Sequence, residues 1–401
     1  MRAIDYRSST STRCLLFTCL HSHLLPFTHN CPIRTIVCTI TILYHRCHTR
    51  IPIANFTMLE FRTASFNPYS VKYSPFFDSR LAVSAGANFG LVGNGRLFIL
   101  NLTAEGIVCE KFFETQDCLF DLTWSEQHEN QLLTAGGDGS IKLFDIGVGE
   151  FPVAGWQEHG REVFSVHWNL VNKDTFASSS WDGTVKIWNP ARKESLLTLP
   201  VHSCVYSAQF SPHHPDVVTC VSRDSHLRVF DLRQKPSAQN HLALAIPIHA
   251  PPKMPLPGNA NGGSQPSECL THDWNKYRDS VLATAGVDGV IRTFDLRVPS
   301  GPVNILPGHE YAVRKVSWSP HLSDTLLSAS YDMSCRVWTD GSTEDNGGSG
   351  AGFGREIGRM DAHTEFAMGV DWCMFGAEGW CTTCAWDERV LVWDVREFMR
   401  R

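Results

Sequence analysis

The chain has 401 residues, a hydrophobic fraction of 43%, an aromatic fraction of 11% and a formal net charge of −6. That length suits one repeat architecture or two to three ordinary domains, with enough apolar residues for a core. The charge excludes an overall basic field of the kind that seeks nucleic acid or an anionic membrane. The longest apolar stretch, Ile33 to Tyr44, is broken by Arg34 and falls short of the ~20 residues of a spanning helix.

Residues 1–57 stand apart. They contain no Gly, Lys or Glu, six Arg and a single acid, Asp5. Five cysteines (Cys14, Cys19, Cys31, Cys38, Cys47) also fall here, and His21, His23 and Pro26 interrupt any signal-peptide core. The expectation is an unstructured or spurious extension, translated from non-coding sequence, with the natural chain starting at Met58. Setting it aside leaves 29 basic against 40 acidic residues, about −11 over residues 58–401. The part that folds is acidic and favours a basic ligand.

From there the chain repeats itself, the first pattern to seek in a sequence. Leu100-Asn101, Phe144-Asp145, Trp188-Asn189, Phe230-Asp231, Phe294-Asp295, Trp338-Thr339 and Trp393-Asp394 each end a β-like run. The intervals are 44, 44, 42, 64, 44 and 55 residues. Four of the six match the period of about 40–45 residues of a four-stranded propeller blade. Asp-Gly turns at Asp138-Gly139, Asp182-Gly183 and Asp288-Gly289 each precede an alternating strand, a strong hairpin signal.

Seven blades are therefore predicted, near 69–101, 118–145, 159–189, 202–231, 269–295, 309–339 and 363–394. The last lacks an outer strand after Asp394, and residues 59–63 are expected to supply it and close the ring. The long intervals hold insertions. Residues 251–267 lie between an outer strand and the next inner strand, on the top face. Residues 340–354, rich in Gly and Ser, lie between the third and outer strands of blade six, on the bottom face. Both are expected to be disordered loops.

A polar pattern recurs with the blades. His159, Ser178, Asp182 and Trp188 are repeated as His309, Ser328, Asp332 and Trp338, and nearly so as His363, Thr383, Asp387 and Trp393. A His and an Asp could form a catalytic pair, but an enzyme needs one site and this set occurs several times. Its residues are predicted to satisfy one another inside each blade, where an unpaired polar group costs ~1–3 kcal/mol. The spacing resembles the hydrogen-bonded tetrad of WD repeats.

No catalytic motif is present: no G-x-S-x-G, P-loop or H-E-x-x-H. The nine later cysteines have no repeated spacing and read as free thiols, and the Cys381–Cys384 pair falls within a predicted strand. No metal, cofactor or enzymatic activity is expected. A propeller without chemistry binds, most often through its top face. The inner-strand starts and turns there bring up Tyr69, Asp117, Phe120, Glu162, Phe164, Trp181, Tyr206, Arg314, Tyr331, Glu365 and Trp386. Aromatic residues with interspersed acids suit an amphipathic, basic peptide.

Specific strings then carry a resemblance. Tyr69 to Asp78, Ala87 to Gly95, Phe120 to Trp124, Glu158 to Phe164 and Ser328 to Asp332 resemble the peroxin-7 family, and the Ala87–Gly95 string is not a generic WD-repeat feature. The similarity runs from Met58 to the C-terminus. It implies an all-β, seven-bladed WD-repeat β-propeller that acts as receptor for the type 2 peroxisomal targeting signal. In that family the signal is an N-terminal amphipathic helix of cargo with an Arg-Leu pair and, five residues on, a His-Leu pair. The helix lies on the top face, a co-receptor covers it, and the complex docks through peroxins at the peroxisome before the receptor returns to the cytosol. Asp117 and Glu162 match acidic positions of the family and are expected to meet the cargo's basic residues. No direct membrane insertion is implied.

A rival reading comes from Phe230-Asp-Leu-Arg233, Phe294-Asp-Leu-Arg297 and Trp393-Asp-Val-Arg396. These motifs resemble those of WD-repeat substrate receptors of cullin–RING ubiquitin ligases, whose Arg contacts the ligase adaptor.

Overall fold

Twenty-eight strands form seven four-stranded antiparallel sheets in the computed structural model, which describes residues 58–91, 93–235, 240–249, 267–343, 354–375 and 378–399. The extension 1–57, residues 251–266 of the first insertion and residues 344–353 of the second lie outside the described residues. Six sheets use four consecutive strands each. In the seventh, Ala367–Trp372, Trp380–Ala385 and Arg389–Asp394 are completed by Met58–Arg62. That strand pairs from Met58 opposite Trp393 to Arg62 opposite Arg389. The expected closure by the N-terminal outer strand is therefore met, and seven blades are present.

The turns follow the sequence chemistry. Gly139, Gly183 and Gly289 sit at φ of 81°, 81° and 71° between second and third strands, the left-handed region that glycine enters without steric cost. Blades four, six and seven place Ser225, Met333 and Glu388 there at 64°, 65° and 61°.

Inner strands line the channel and are almost wholly buried. They end in a ring of large rings: Tyr73, Trp124, Trp168, Phe210, Trp274, Trp318 and Trp372. An inner strand leaves backbone N–H groups without a ladder partner on its free edge, and these must be paired when buried. Polar side chains of the preceding blade supply the acceptors. Asp371 accepts from the Tyr73 N–H at 2.9 Å, Asp273 from Trp318 at 2.7 Å and Ser165 Oγ from Ala208 at 3.0 Å. Each blade is stitched to the next by its own inner strand. The lower channel contains a cavity of ≈ 490 Å³.

Candidate peptide-binding face

The top face is the end at which the inner strands begin. Four residues before the ring just described, blades one to four place Tyr69, Phe120, Phe164 and Tyr206. Blades five to seven place Leu270, Arg314 and Met368 at that level. A second set enters from the turn after each second strand. There the N–H of Trp181, Tyr331 and Trp386 donates to the carbonyl of Glu162, Ala312 and Phe366, at 3.1, 2.9 and 3.0 Å. That bond swings the turn side chain over the start of the inner strand.

The two sets merge into one run of ring contacts. Tyr331 stacks on Phe366 at 4.9 Å, and Phe366 meets Trp386 at 5.5 Å. Trp386 meets Tyr69 at 5.6 Å, and Tyr69 meets Phe120 edge-on at 5.3 Å. Phe120 stacks on Phe164 at 5.0 Å, and Phe164 reaches Trp181 at 5.1 Å and Tyr206 at 5.5 Å. The run crosses blades six, seven, one, two, three and four and stops at blade five, where Leu270 and Val287 replace aromatics. Tyr69 is 6% exposed and supports the floor from below. The indole N–H groups of Trp181 and Trp386 are buried without an acceptor.

Two aromatic members escaped sequence reasoning. Phe366 occupies a repeat position held by Cys118, Glu162, Cys204 and Glu268 in other blades, so no pattern flags it. Phe89 belongs to the Ala87–Asn94 connection of blade one, which is longer than an Asp-Gly turn. Its ring lies 5.4 Å from that of Trp386, and it is 49% exposed.

The acids differ in how they are answered. Asp117 and Glu365 share one repeat position, while Glu162 and Glu268 share the next. Glu162 lies 3.4 Å from Arg161 Nε, and the Arg161 guanidinium is 5.6 Å from the Trp181 ring. Glu268 accepts from the Tyr206 hydroxyl at 2.5 Å and pairs with Arg223 at 3.0 Å. Burial, then this carboxylate, pushes the Tyr206 pKa up. Asp117 Oδ1 accepts the N–H of Cys118 at 2.7 Å, and no cation approaches the carboxylate among the described residues. An unanswered carboxylate beside aromatic rings fits a ligand cation with an apolar flank. Glu365 is exposed and directly precedes Phe366 of the aromatic run.

The recurrent polar residues lie below this face. The Trp188 indole N–H donates to Ser178 Oγ at 2.8 Å, the Ser178 hydroxyl to His159 Nε2 at 2.7 Å, and His159 Nδ1–H to Asp182 at 2.8 Å. His309, Ser328, Asp332 and Trp338 repeat this at 2.7 to 2.8 Å. His363, Thr383, Asp387 and Trp393 do so at 2.9 to 3.3 Å. A fourth set, His249, Thr284 and Asp288, occurs in blade five. Burial alone would raise the Asp182 pKa, but the His159 and Thr184 hydrogen bonds hold it well below the usual carboxylate range. Every donor in these chains is spent on a neighbour.

On the bottom face, Arg233, Arg297 and Arg396 fold back onto their own Asp231, Asp295 and Asp394 at 2.8, 2.6 and 2.5 Å. Among the described residues, no helix is long and apolar enough to cross a membrane, and no cluster of His, Cys, Asp and Glu is placed to hold a metal ion.

Comparison with known proteins agrees with this architecture. A family profile described as "WD domain, G-beta repeat" matches residues 151–189, 193–231 and 300–339. The chain is similar to the "Peroxisomal targeting signal 2 receptor" of Saccharomyces cerevisiae, 43% identical over 84% of this chain and 99% of that relative. "Peroxisome biogenesis protein 7" of Arabidopsis thaliana is 42% identical over 82% of this chain and 96% of its own length. The Homo sapiens "Peroxisomal targeting signal 2 receptor" is 33% identical over 77% and 87%.

Proposed function

The chain belongs to the family of peroxisomal targeting signal 2 receptors, and from that premise we propose that it is a non-catalytic import receptor that holds the type 2 signal of cargo enzymes on its top face. The signal is an amphipathic helix. Its apolar stripe lies along the aromatic run from Tyr331 to Tyr206, and its basic residues face Asp117 and Glu162. A co-receptor covers the outer side of the helix, and docking peroxins at the peroxisome receive the complex. The receptor itself cycles between cytosol and peroxisome without inserting into the membrane.

One observation carries this reading: an unbroken apolar, aromatic surface runs beside a carboxylate, Asp117, that has no cation of its own among the described residues. Aromatic rings give a large anchoring area at little entropic cost, and a desolvated carboxylate pairs with Arg.

Fluorescence polarisation of a labelled type 2 signal peptide against the full chain, with and without co-receptor, tests it. Saturable binding is expected, reduced when the peptide's Arg is replaced by Ala. Absence of binding with co-receptor present would leave a propeller of the right family with a different ligand.

A further inference from the structure

The axis of the top face holds a positive charge that the fold does not answer. Arg314 is 6% exposed. Its guanidinium carbon stands 4.8 Å from the centre of the Phe164 ring, three blades away across the channel mouth. Among the described residues, no carboxylate or other acceptor hydrogen-bonds to it.

The next residue compounds the imbalance. Lys315 Nζ is 3.7 Å from Asp121 Oδ1, beyond hydrogen-bond reach, and that oxygen is buried without a hydrogen-bond partner among the described residues. By contrast, Lys72 meets Asp371 and Lys276 meets Asp273, both at 2.9 Å. Burial pushes the Lys315 pKa down despite Asp121. The Arg314 nitrogens keep access to solvent at the channel mouth, where an incoming acceptor can reach them.

The geometry also says where the partner comes from, granted the cargo reading above. Phe164, against which Arg314 stacks, is two residues beyond Glu162, about 6–7 Å along the strand. Neighbouring side chains on one face of a helix, three or four residues apart, are separated by about 5–6 Å. A helix whose basic residue faces Glu162 or Asp117 would therefore present its next turn to Arg314.

We infer that Arg314, with Lys315 beneath it, is the acceptor for a carboxylate side chain of the bound cargo helix, one turn from the basic residue. An acidic residue at that spacing is thus a positive determinant of cargo selection.

The test uses the full chain and two signal peptides, with Glu or Gln three or four residues after the first Arg. Wild type is expected to prefer the Glu peptide by about tenfold, the worth of one charge-assisted hydrogen bond. The preference should vanish in Arg314→Met, which keeps an apolar side chain against Phe164, and survive in part in Arg314→Lys. Arg314→Met should melt no lower than wild type, which separates lost recognition from lost folding. Equal binding of the two peptides to wild type, or a preference that persists in Arg314→Met, would overturn the inference while leaving the cargo reading intact. Binding of neither peptide would remove both. A rise in wild-type melting temperature with inorganic phosphate, lost in Arg314→Met and without any Glu–Gln difference, would assign the site to a free oxyanion instead.

Discussion

The hydroxyl of Tyr69 donates to the backbone carbonyl of Phe89 at 2.7 Å. This bond ties the aromatic floor to a top loop that departs from the repeat. Asn88 and Phe89 both have positive φ, 50° and 57°, a conformation that costs an L-residue roughly 1–2 kcal/mol. The loop is held in it from below, since the Phe89 N–H also donates to Asn67 Oδ1 at 2.9 Å. Burial raises the pKa of the Tyr69 hydroxyl, which keeps it a donor. Tyr69→Phe retains the ring contacts with Phe120 and Trp386 and removes only the tie. We expect a loss of about 1 kcal/mol, faster amide exchange at Phe89 and weaker signal-peptide binding. Unchanged exchange would show that the loop holds its shape unaided.

Asp117 and Glu162 should not be equivalent. Asp117 has no cation near it among the described residues, whereas Arg161 already offsets Glu162. Asp117→Asn keeps an acceptor for the Cys118 N–H, so the fold is retained while the free charge is lost. Signal-peptide affinity should fall by about tenfold or more, with a shallower salt dependence. Glu162→Gln should cost less, and Arg161→Ala should tighten binding because the cargo cation no longer displaces an internal one. Polarisation titrations at two salt concentrations rank the three. A larger loss for Glu162→Gln than for Asp117→Asn would contradict the assignment.

Much of this arrangement is legible in the sequence because the repeat is a ruler. Once Trp188, Trp338 and Trp393 fix the register, Phe120, Phe164 and Trp181 fall at one level by counting. Counting fails where a residue departs from its position's usual role. Phe366 sits where other blades carry Glu or Cys, and Phe89 lies in a loop of irregular length. The blade-five polar set is hidden for a different reason. His249 and Asp288 are 39 residues apart, against 23 for His159 and Asp182, because the 251–267 insertion falls between them. Phe294 also replaces the tryptophan there. No sequence rule reports that Arg314 reaches across the channel to Phe164, since that contact depends on closure of the ring.

The polar sets should differ in their worth to stability. Ser178 Oγ takes the Trp188 indole N–H and gives its proton to His159. Ser178→Ala leaves both groups buried and unpaired, a loss of about 2–6 kcal/mol at 1–3 each. Thr284 serves only His249, at 3.3 Å, because Phe294 has no donor. Thr284→Ser is expected to be nearly neutral there, and Thr284→Val should cost less than Ser178→Ala. Urea denaturation of the variants checks the order. Equal losses would mean that the serine's tryptophan bond contributes little.

Acid should weaken the fold through its buried histidines. Burial holds His272 at about 3, His167 well below its ordinary value of 6.5, and lowers His249 and His309. The folded state keeps these rings neutral, whereas the unfolded chain takes up protons below about pH 6.5. Their contribution is complete above that pH and is lost as the pH falls toward the folded-state values. Asp182 and Asp332 are held below the usual carboxylate range and stay ionised through most of this window. Each fully depressed histidine adds a slope of up to about 1.4 kcal/mol per pH unit. Denaturation at pH 7, 6 and 5 should show falling stability, with a smaller slope in His272→Gln. A flat profile over this range would rule out neutral burial of these rings.

The hairpin turns offer a last contrast, with the sign of the effect set by one backbone angle. Met333 occupies the position that Gly139 holds in blade two, with φ of 65° against 81°. Its side chain is 40% exposed, so little packing depends on it. Met333→Gly removes left-handed strain of roughly 1–2 kcal/mol and adds roughly 0.5–1 kcal/mol of chain entropy, a net gain of about 0.5–1 kcal/mol. The converse change, Gly139→Ala, meets strain and a wall together. A Cβ there would lie 2.9 Å from the His159 carbonyl oxygen and 3.1 Å from that of Arg161. Both oxygens are backbone atoms of the segment that carries Glu162, so the substitution should lower stability and also disturb the acidic edge of the top face. Calorimetric melting of the two variants beside wild type should move in opposite directions. A destabilised Met333→Gly would mean that methionine's packing outweighs its strained backbone.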